Sequence, residues 1–137
     1  MPLHYSTVAV FHATWLQALG AILLVLSTAY TLWSRRVLGK MWATDAEVKE
    51  RHELVTTGSY RITRHPIYSG ILGMILGSAL SLGQGLALLG LIAALVFFMN
   101  RIRNEENLMV ITFGEQYIQY KKHVPQLIPG VKAREKQ

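Results

Sequence analysis

Two long stretches without a charged side chain set the pattern of this chain. No Lys, Arg, Asp or Glu occurs before Arg35, and none occurs between Arg64 and Arg101. The first stretch predicts a helix over residues 8–33, long enough to cross a ~30 Å hydrocarbon layer. His12 and Gln17 are its polar interruptions, and Trp15 and Trp33 suit the two membrane interfaces. The second stretch is too long for one straight crossing at about 1.5 Å per residue. Gly83-Gln84-Gly85 is its natural break, because glycine permits a chain reversal and Gln84 tolerates exposure. A tight helical hairpin follows, with helices at about 66–82 and 86–113. Pro66 fits the first turn of a helix, where its missing N–H costs nothing. The expected fold is therefore an all-α integral membrane protein with three transmembrane helices, in a single domain over residues 1–137.

The polar segments refine this picture. Thr44-Asp45-Ala46-Glu47 has the capping-box pattern and predicts a short helix to about Arg51. Residues 52–60 read as an extended loop, and the third span is expected to run on past the membrane to Gly114. A last short helix over 115–122 precedes Val124-Pro125 and Leu127-Ile128-Pro129, an apolar segment expected to pack back on the protein.

Composition supports a membrane location. The chain is 51% hydrophobic and 16% charged, against roughly 25% charged in soluble domains. The charges fall in two blocks, Arg35–Arg64 and Arg101 to the end, each with seven basic and four acidic residues. Basic residues beside apolar spans favour the cytoplasmic face and anionic headgroups. Both blocks are therefore expected in the cytoplasm, with the N-terminus and the Gly83–Gly85 turn outside. The net charge of +6 is explained by this asymmetry, and no nucleic-acid partner is expected. The first apolar run lacks a basic leader segment and meets Arg35 and Arg36 at once, so it reads as a retained span. There are no cysteines, which excludes thiolate metal sites, disulfides and a Cys nucleophile. His52 and His65 are too isolated to suggest a metal pair, so no metal is expected.

The residues that can carry chemistry crowd at one membrane face. His52, Tyr60, Arg61, Arg64, His65 and Tyr68 precede or begin the second span. Asn100, Arg101, Arg103, Asn104, Glu105 and Glu106 lie at the exit of the third. The hairpin brings these groups to one level, and such charges are costly near lipid unless they pair or line a polar cavity. Arg101 and Glu105 share a helical face and can interact. Taken singly, each residue also has a structural reading: a surface ion pair, an N-cap at His65, interfacial anchors at Tyr60 and Tyr68.

Taken together they resemble a known family. The run His52-Glu-Leu-Val-Thr-Thr-Gly-Ser-Tyr60-Arg-Ile-Thr-Arg64-His65-Pro66-Ile67-Tyr68-Ser-Gly70 resembles the signature of isoprenylcysteine carboxyl methyltransferases. So do Arg101-Ile-Arg-Asn-Glu105-Glu106-Asn-Leu, Phe113-Gly114-Glu-Gln-Tyr117-Ile-Gln-Tyr120 and the Pro125 and Pro129 tail. The resemblance implies a membrane-embedded enzyme that uses S-adenosylmethionine to methylate a prenylcysteine carboxylate. It implies that His52, Glu53, Leu54, Val55, Tyr60, His65, Pro66, Ile67 and Tyr68 line a cytoplasmic cofactor pocket. Glu105 would also hold the cofactor, Arg101 would meet the substrate carboxylate, and Asp45 sits at a further cofactor contact. On this reading Arg101 and Glu105 are the catalytic pair, and the acceptor is a lipophilic small molecule or a prenylated chain drawn from among the membrane lipids.

Full-length members of that family carry more N-terminal spans than the one found here. Either the chain is a minimal member or a second copy closes the lipid-facing wall, which makes a homo-oligomer an expectation. Three alternatives compete. A phospholipid N-methyltransferase would use the same cofactor, but an arginine is unhelpful beside an amine acceptor. Sterol-reductase-like membrane enzymes share an Arg-His-Pro-x-Tyr segment and use NADPH, but the Glu105-Glu106 pair fits the methyltransferases better. A non-catalytic membrane homologue would have no need of the whole polar set.

Overall fold

The structure, a computed structural model, describes residues 13–39 and 53–131. Four α-helices form among the described residues: α1 Thr14–Leu38, α2 Pro66–Ser81, α3 Ala87–Phe113 and α4 Glu115–His123. A 3-10 turn, Gly58–Arg61, precedes α2. Residues 8–12, the expected helix at the Thr44–Glu47 capping box, Asp45 and His52 lie outside the described residues.

The all-α architecture and the hairpin agree with the sequence reading, with shifted boundaries. α1 runs five residues further than expected, so Arg35 and Arg36 sit in its last turn, where cations offset the helix dipole. α2 ends at Ser81 and α3 starts at Ala87, with Gly83 at φ 65° in the connection. That left-handed conformation is the one glycine adopts without penalty. At about 1.5 Å per residue α1 is ~37 Å long and α3 ~40 Å, each enough to span a bilayer. These two are long and apolar enough to cross. The 16-residue α2 is about 24 Å long, shorter than a full crossing. The chain is a membrane protein built on these apolar helices.

α1 and α2 run antiparallel in close backbone contact, while α3 stands further from α2. The close approach depends on small residues. A Cβ on Gly77 would lie 2.6 Å from the backbone N of Leu24, and one on Gly20 would lie 2.5 Å from the backbone N of Ser81. At Gly70 and Gly73 the nearest atoms are instead the side-chain hydroxyls of Thr31 and Ser27. Small residues let backbones meet where the hydrophobic effect between helices is absent, as it is in lipid. The outward faces stay apolar: Leu19, Ile22 and Val25 of α1 and Leu89, Ile92 and Val96 of α3 are exposed, as a lipid solvent allows.

The tightest packing lies at one end of the helices. Ile102 and Tyr117 are fully buried there, with Thr63 and Ser59 beside them. Gly114, at φ 58°, ends α3 and starts α4, which turns α4 back against this end. The tail beyond α4 then crosses the start of α2. Arg64 N donates to Pro125 O (2.9 Å) and His65 N to Gln126 O (3.1 Å), and Ser69 Oγ donates to Leu127 O (2.6 Å). α2 has no side-chain N-cap, so the returning tail satisfies donors at its N-terminus. This is the packing expected of the apolar tail.

Candidate active site

The polar end of the hairpin is built from the first turn of α2 and the helical stretch 101–106 of α3. Antiparallel pairing sets them at one level, and helical periodicity sorts the α3 residues. Adjacent positions on a helix point about 100° apart, so Arg101 and Glu105 share one face while Ile102 and Glu106 share another.

On the outer face, Arg101, Tyr68 and Glu105 bond one another in a triad. Tyr68 OH donates to Glu105 Oε1 at 2.6 Å. Arg101 Nε donates to Tyr68 OH at 2.6 Å and to Glu105 Oε1 at 3.1 Å. The Arg101 and Glu105 side chains keep 37% and 27% of their exposure, so both remain reachable. Beside them runs an aromatic wall. The His65 ring stacks on Tyr68 with centroids 5.9 Å apart, and Tyr68 stacks on Phe98 at 4.7 Å.

On the inner face, Glu106 is 7% exposed and collects cations and donors from the start of α2 and from α4. Its Oε1 accepts from Arg64 Nε at 2.8 Å and contacts His65 Nε2 at 3.0 Å. Its Oε2 lies 3.7 Å from Lys121 Nζ. Arg64 Nη1 in turn donates to the carbonyls of Lys121 (3.1 Å) and Val124 (2.9 Å). One buried guanidinium thus joins α3, the start of α2 and the C-terminus of α4. Burial pushes the phenols of Tyr117 and Tyr120 well above their ordinary range, reinforced at Tyr117 by the Glu106 charge and at Tyr120 by Tyr60.

The structure brings four of the residues singled out in the sequence together: Arg101, Glu105, His65 and Tyr68. Pro66 is buried at the first position of α2 and Ile67 is half-buried beside it. Tyr60 sits in the 3-10 turn, where its carbonyl accepts from Tyr120 OH at 2.6 Å. Glu53 is exposed, and Leu54 and Val55 are half-buried in the extended stretch before Gly58. Among the described residues, none of these three is bonded to the triad. A cavity of about 420 Å³ lined by Leu32, Arg35, Arg36 and Gly39 shares no residue with the triad. His65 stands at the N-cap position of α2, but its side chain makes no cap bond and turns to the two glutamates instead.

Sequence reasoning gave no role to Arg64 or Glu106. The signal was present in the spacing, since Glu106 falls one turn after Ile102 on the buried face. A carboxylate there needs a buried cation, and Arg64 is it.

The sequence profile of the phospholipid methyltransferase family matches residues 15–116. The chain belongs to that family. The match takes in α1, the hairpin and both glutamates. Individual relatives narrow the likeness. The protein-S-isoprenylcysteine O-methyltransferase of Xenopus laevis is 34% identical over 122 residues, which is 87% of this chain and 42% of that protein. The Arabidopsis thaliana protein-S-isoprenylcysteine O-methyltransferase B is 30% identical over 120 residues, 85% of this chain and 61% of its own length. The Schizosaccharomyces pombe protein of the same name is 43% identical over 79 residues, 57% of this chain and 34% of its own. The chain therefore spans less than half the length of the frog relative it matches, and its likeness within the family is to the isoprenylcysteine enzymes.

Proposed function

We propose that the chain is an S-adenosylmethionine-dependent carboxyl O-methyltransferase whose acceptor is a lipophilic, prenylcysteine-like acid. The observation that carries this reading is the Arg101–Tyr68–Glu105 triad. It sets a guanidinium and a carboxylate side by side, both partly exposed, at the end of an apolar helical hairpin.

The residues present fit the cofactor by charge. S-adenosylmethionine carries a sulfonium and an ammonium, which the Glu105 carboxylate complements. The His65–Tyr68–Phe98 stack offers ring faces that attract a cation. Glu105, Tyr68 and His65 would hold it, with Pro66 and Ile67 shaping the floor. His52, Glu53, Leu54, Val55 and Tyr60, which the family resemblance implicates, would close the pocket from the loop ahead of α2. When bound, the cofactor supplies a methyl group already activated on a positive sulfur.

The chain's own residues then position the acceptor. Arg101 presents a planar donor fork suited to a carboxylate. An acceptor carboxylate is ionised at neutral pH, so no general base is needed to prepare it. Catalysis rests on holding the nucleophilic oxygen in line and excluding water, which is where orientation is worth most. The exposed apolar faces of α1 and α3 let a prenyl chain approach sideways from the bilayer. An amine acceptor, as in phospholipid N-methylation, would face the Arg101 guanidinium and must also lose a proton. The carboxylate reading is therefore preferred.

The same reading places α2 in the bilayer as a third, short span beside α1. The triad, α4 and the C-terminus lie at the cytoplasmic surface, and the N-terminus and the Gly83–Gly85 turn lie outside. The charge asymmetry supports this topology. Membrane lipids, or a second copy of the chain, would cover the exposed faces of α1 and α3.

Ligand-induced stabilisation tests the cofactor assignment. S-adenosylhomocysteine at about 100 times its Kd is expected to stabilise the detergent-solubilised protein by about 2.7 kcal/mol, while NADPH leaves the melting temperature unchanged. Stabilisation by NADPH alone would transfer the site to reductase chemistry.

A further inference from the structure

The adjacent carboxylates of α3 do different work, and the inner one has no role in the reading above. Glu106 reaches no exposed ligand surface. Arg64, His65, Lys121 and the Tyr117 phenol face it from α4 and from the start of α2. We propose that Glu106 is a positioning residue that locks His65 in the tautomer protonated on Nε2. The ring then presents a bare Nδ1 on the Glu105 side.

The hydrogen bonds dictate the tautomer. A guanidinium has only donors, so Glu106 Oε1 is an acceptor toward Arg64. His65 Nε2 meets the same oxygen at 3.0 Å, which requires the ring nitrogen to be the donor. In the neutral imidazole the proton on Nε2 leaves Nδ1 as an acceptor. Nδ1 lies 3.8 Å from Glu105 Oε2, beyond hydrogen-bond reach. Two acceptors thus face one another across a gap that a donor on a ligand can enter. The ring cannot easily turn away from this arrangement. It is stacked on Tyr68 at an interplanar angle of 15°, and its backbone N–H is tied to Gln126 O. An inner carboxylate thereby fixes the hydrogen-bonding sense of an outer ring, as carboxylates behind histidines do in metal sites.

The ligand consequence rests on the cofactor reading, but the tautomer does not. Histidine labelled with nitrogen-15 in the detergent-solubilised, ligand-free protein reports it directly, with the His65 signals identified by their loss in His65→Gln. The expected spectrum shows protonated Nε2 and bare Nδ1, and a proton on Nδ1 overturns the proposal. Replacing both members of the inner pair, Arg64→Met with Glu106→Leu, removes the acceptor without stranding a buried charge. That variant is expected to lose the single tautomer and to raise KM for S-adenosylmethionine about tenfold, the scale of one charge-assisted hydrogen bond, with kcat changed less than about twofold. An unchanged tautomer and KM in a folded double variant would overturn the proposal as well. Should the variant not fold, the wild-type spectrum decides alone. A wild type with the expected tautomer but no response to S-adenosylmethionine would retire the methyltransferase reading and leave the role of Glu106 standing.

Discussion

Tyr68 and Glu105, one on each arm of the hairpin, meet through a 2.6 Å hydrogen bond whose acceptor oxygen also takes Arg101 Nε. The residue proposed to hold the cofactor and the residue proposed to meet the acceptor therefore bond each other directly.

This sharing separates the two roles experimentally. Glu105→Gln removes the charge that complements the cofactor and is expected to abolish stabilisation by S-adenosylhomocysteine. Arg101→Ala leaves Glu105 and Tyr68 to the cofactor, so binding is retained while methyl transfer is lost. Thermal melts with ligand and turnover assays on both variants check the division, and equal loss of binding in the two would refute it.

The inner pair is expected to dominate stability. Arg64 and Glu106 side chains are 4% and 9% exposed, and removing one partner of such a pair leaves a buried charge, at a cost of about 3–5 kcal/mol. Arg64→Ala should unfold or severely destabilise the protein, and Arg64→Lys should not restore it, because one ammonium cannot replace a fork bound to Glu106 and two carbonyls. Lys121, more exposed and 3.7 Å from Glu106, should cost less than about 1 kcal/mol when changed to Ala. Melting temperatures in detergent give the comparison.

Much of this was legible in the sequence, and the reasons differ by region. The uncharged stretches announced the hairpin because lipid tolerates no unpaired charge, and Gly83-Gln84-Gly85 marked its turn. The meeting of Tyr68 with Arg101 and Glu105 followed from antiparallel geometry alone. The split between Glu105 and Glu106 was harder to read, since both residues are acidic and adjacent. Only the buried phase set by Ile102 tells them apart. The close seam of α1 on α2 also went unread: Gly70, Gly73 and Gly77 look like ordinary membrane-helix composition until Ser27 and Leu24 are placed opposite them.

That seam makes a paired prediction. A Cβ at Gly77 would meet backbone atoms of Leu24 at 2.6 and 2.9 Å, whereas Gly90 has open space around it. Gly77→Ala is expected to destabilise by about 1–3 kcal/mol through overpacking. Gly90→Ala should be neutral or stabilising by up to about 1 kcal/mol, from helix propensity. Equal melting temperatures for the two variants would mean that α1 and α2 are not in backbone contact.

The buried phenols predict a dependence on alkaline pH. Tyr117 and Tyr120 hold their protons above the ordinary value of 10.0 because burial disfavours the phenolate. Above that pH the unfolded chain releases protons that the folded chain retains, so their contribution is complete below about pH 10 and is lost as pH rises. Tyr117→Phe has no such proton, and its stability should fall less steeply between neutral and strongly alkaline pH. A slope identical to wild type in pH-dependent melts would contradict the assignment.

Methyl transfer itself is the most direct test. The purified protein should be incubated with radiolabelled S-adenosylmethionine and either a farnesylated cysteine derivative or phosphatidylethanolamine in mixed micelles. The account predicts label in the prenylcysteine as a base-labile methyl ester, lost in Arg101→Ala. Label carried as a base-stable methylamine on the phospholipid, with the prenylcysteine left unmethylated, would contradict it.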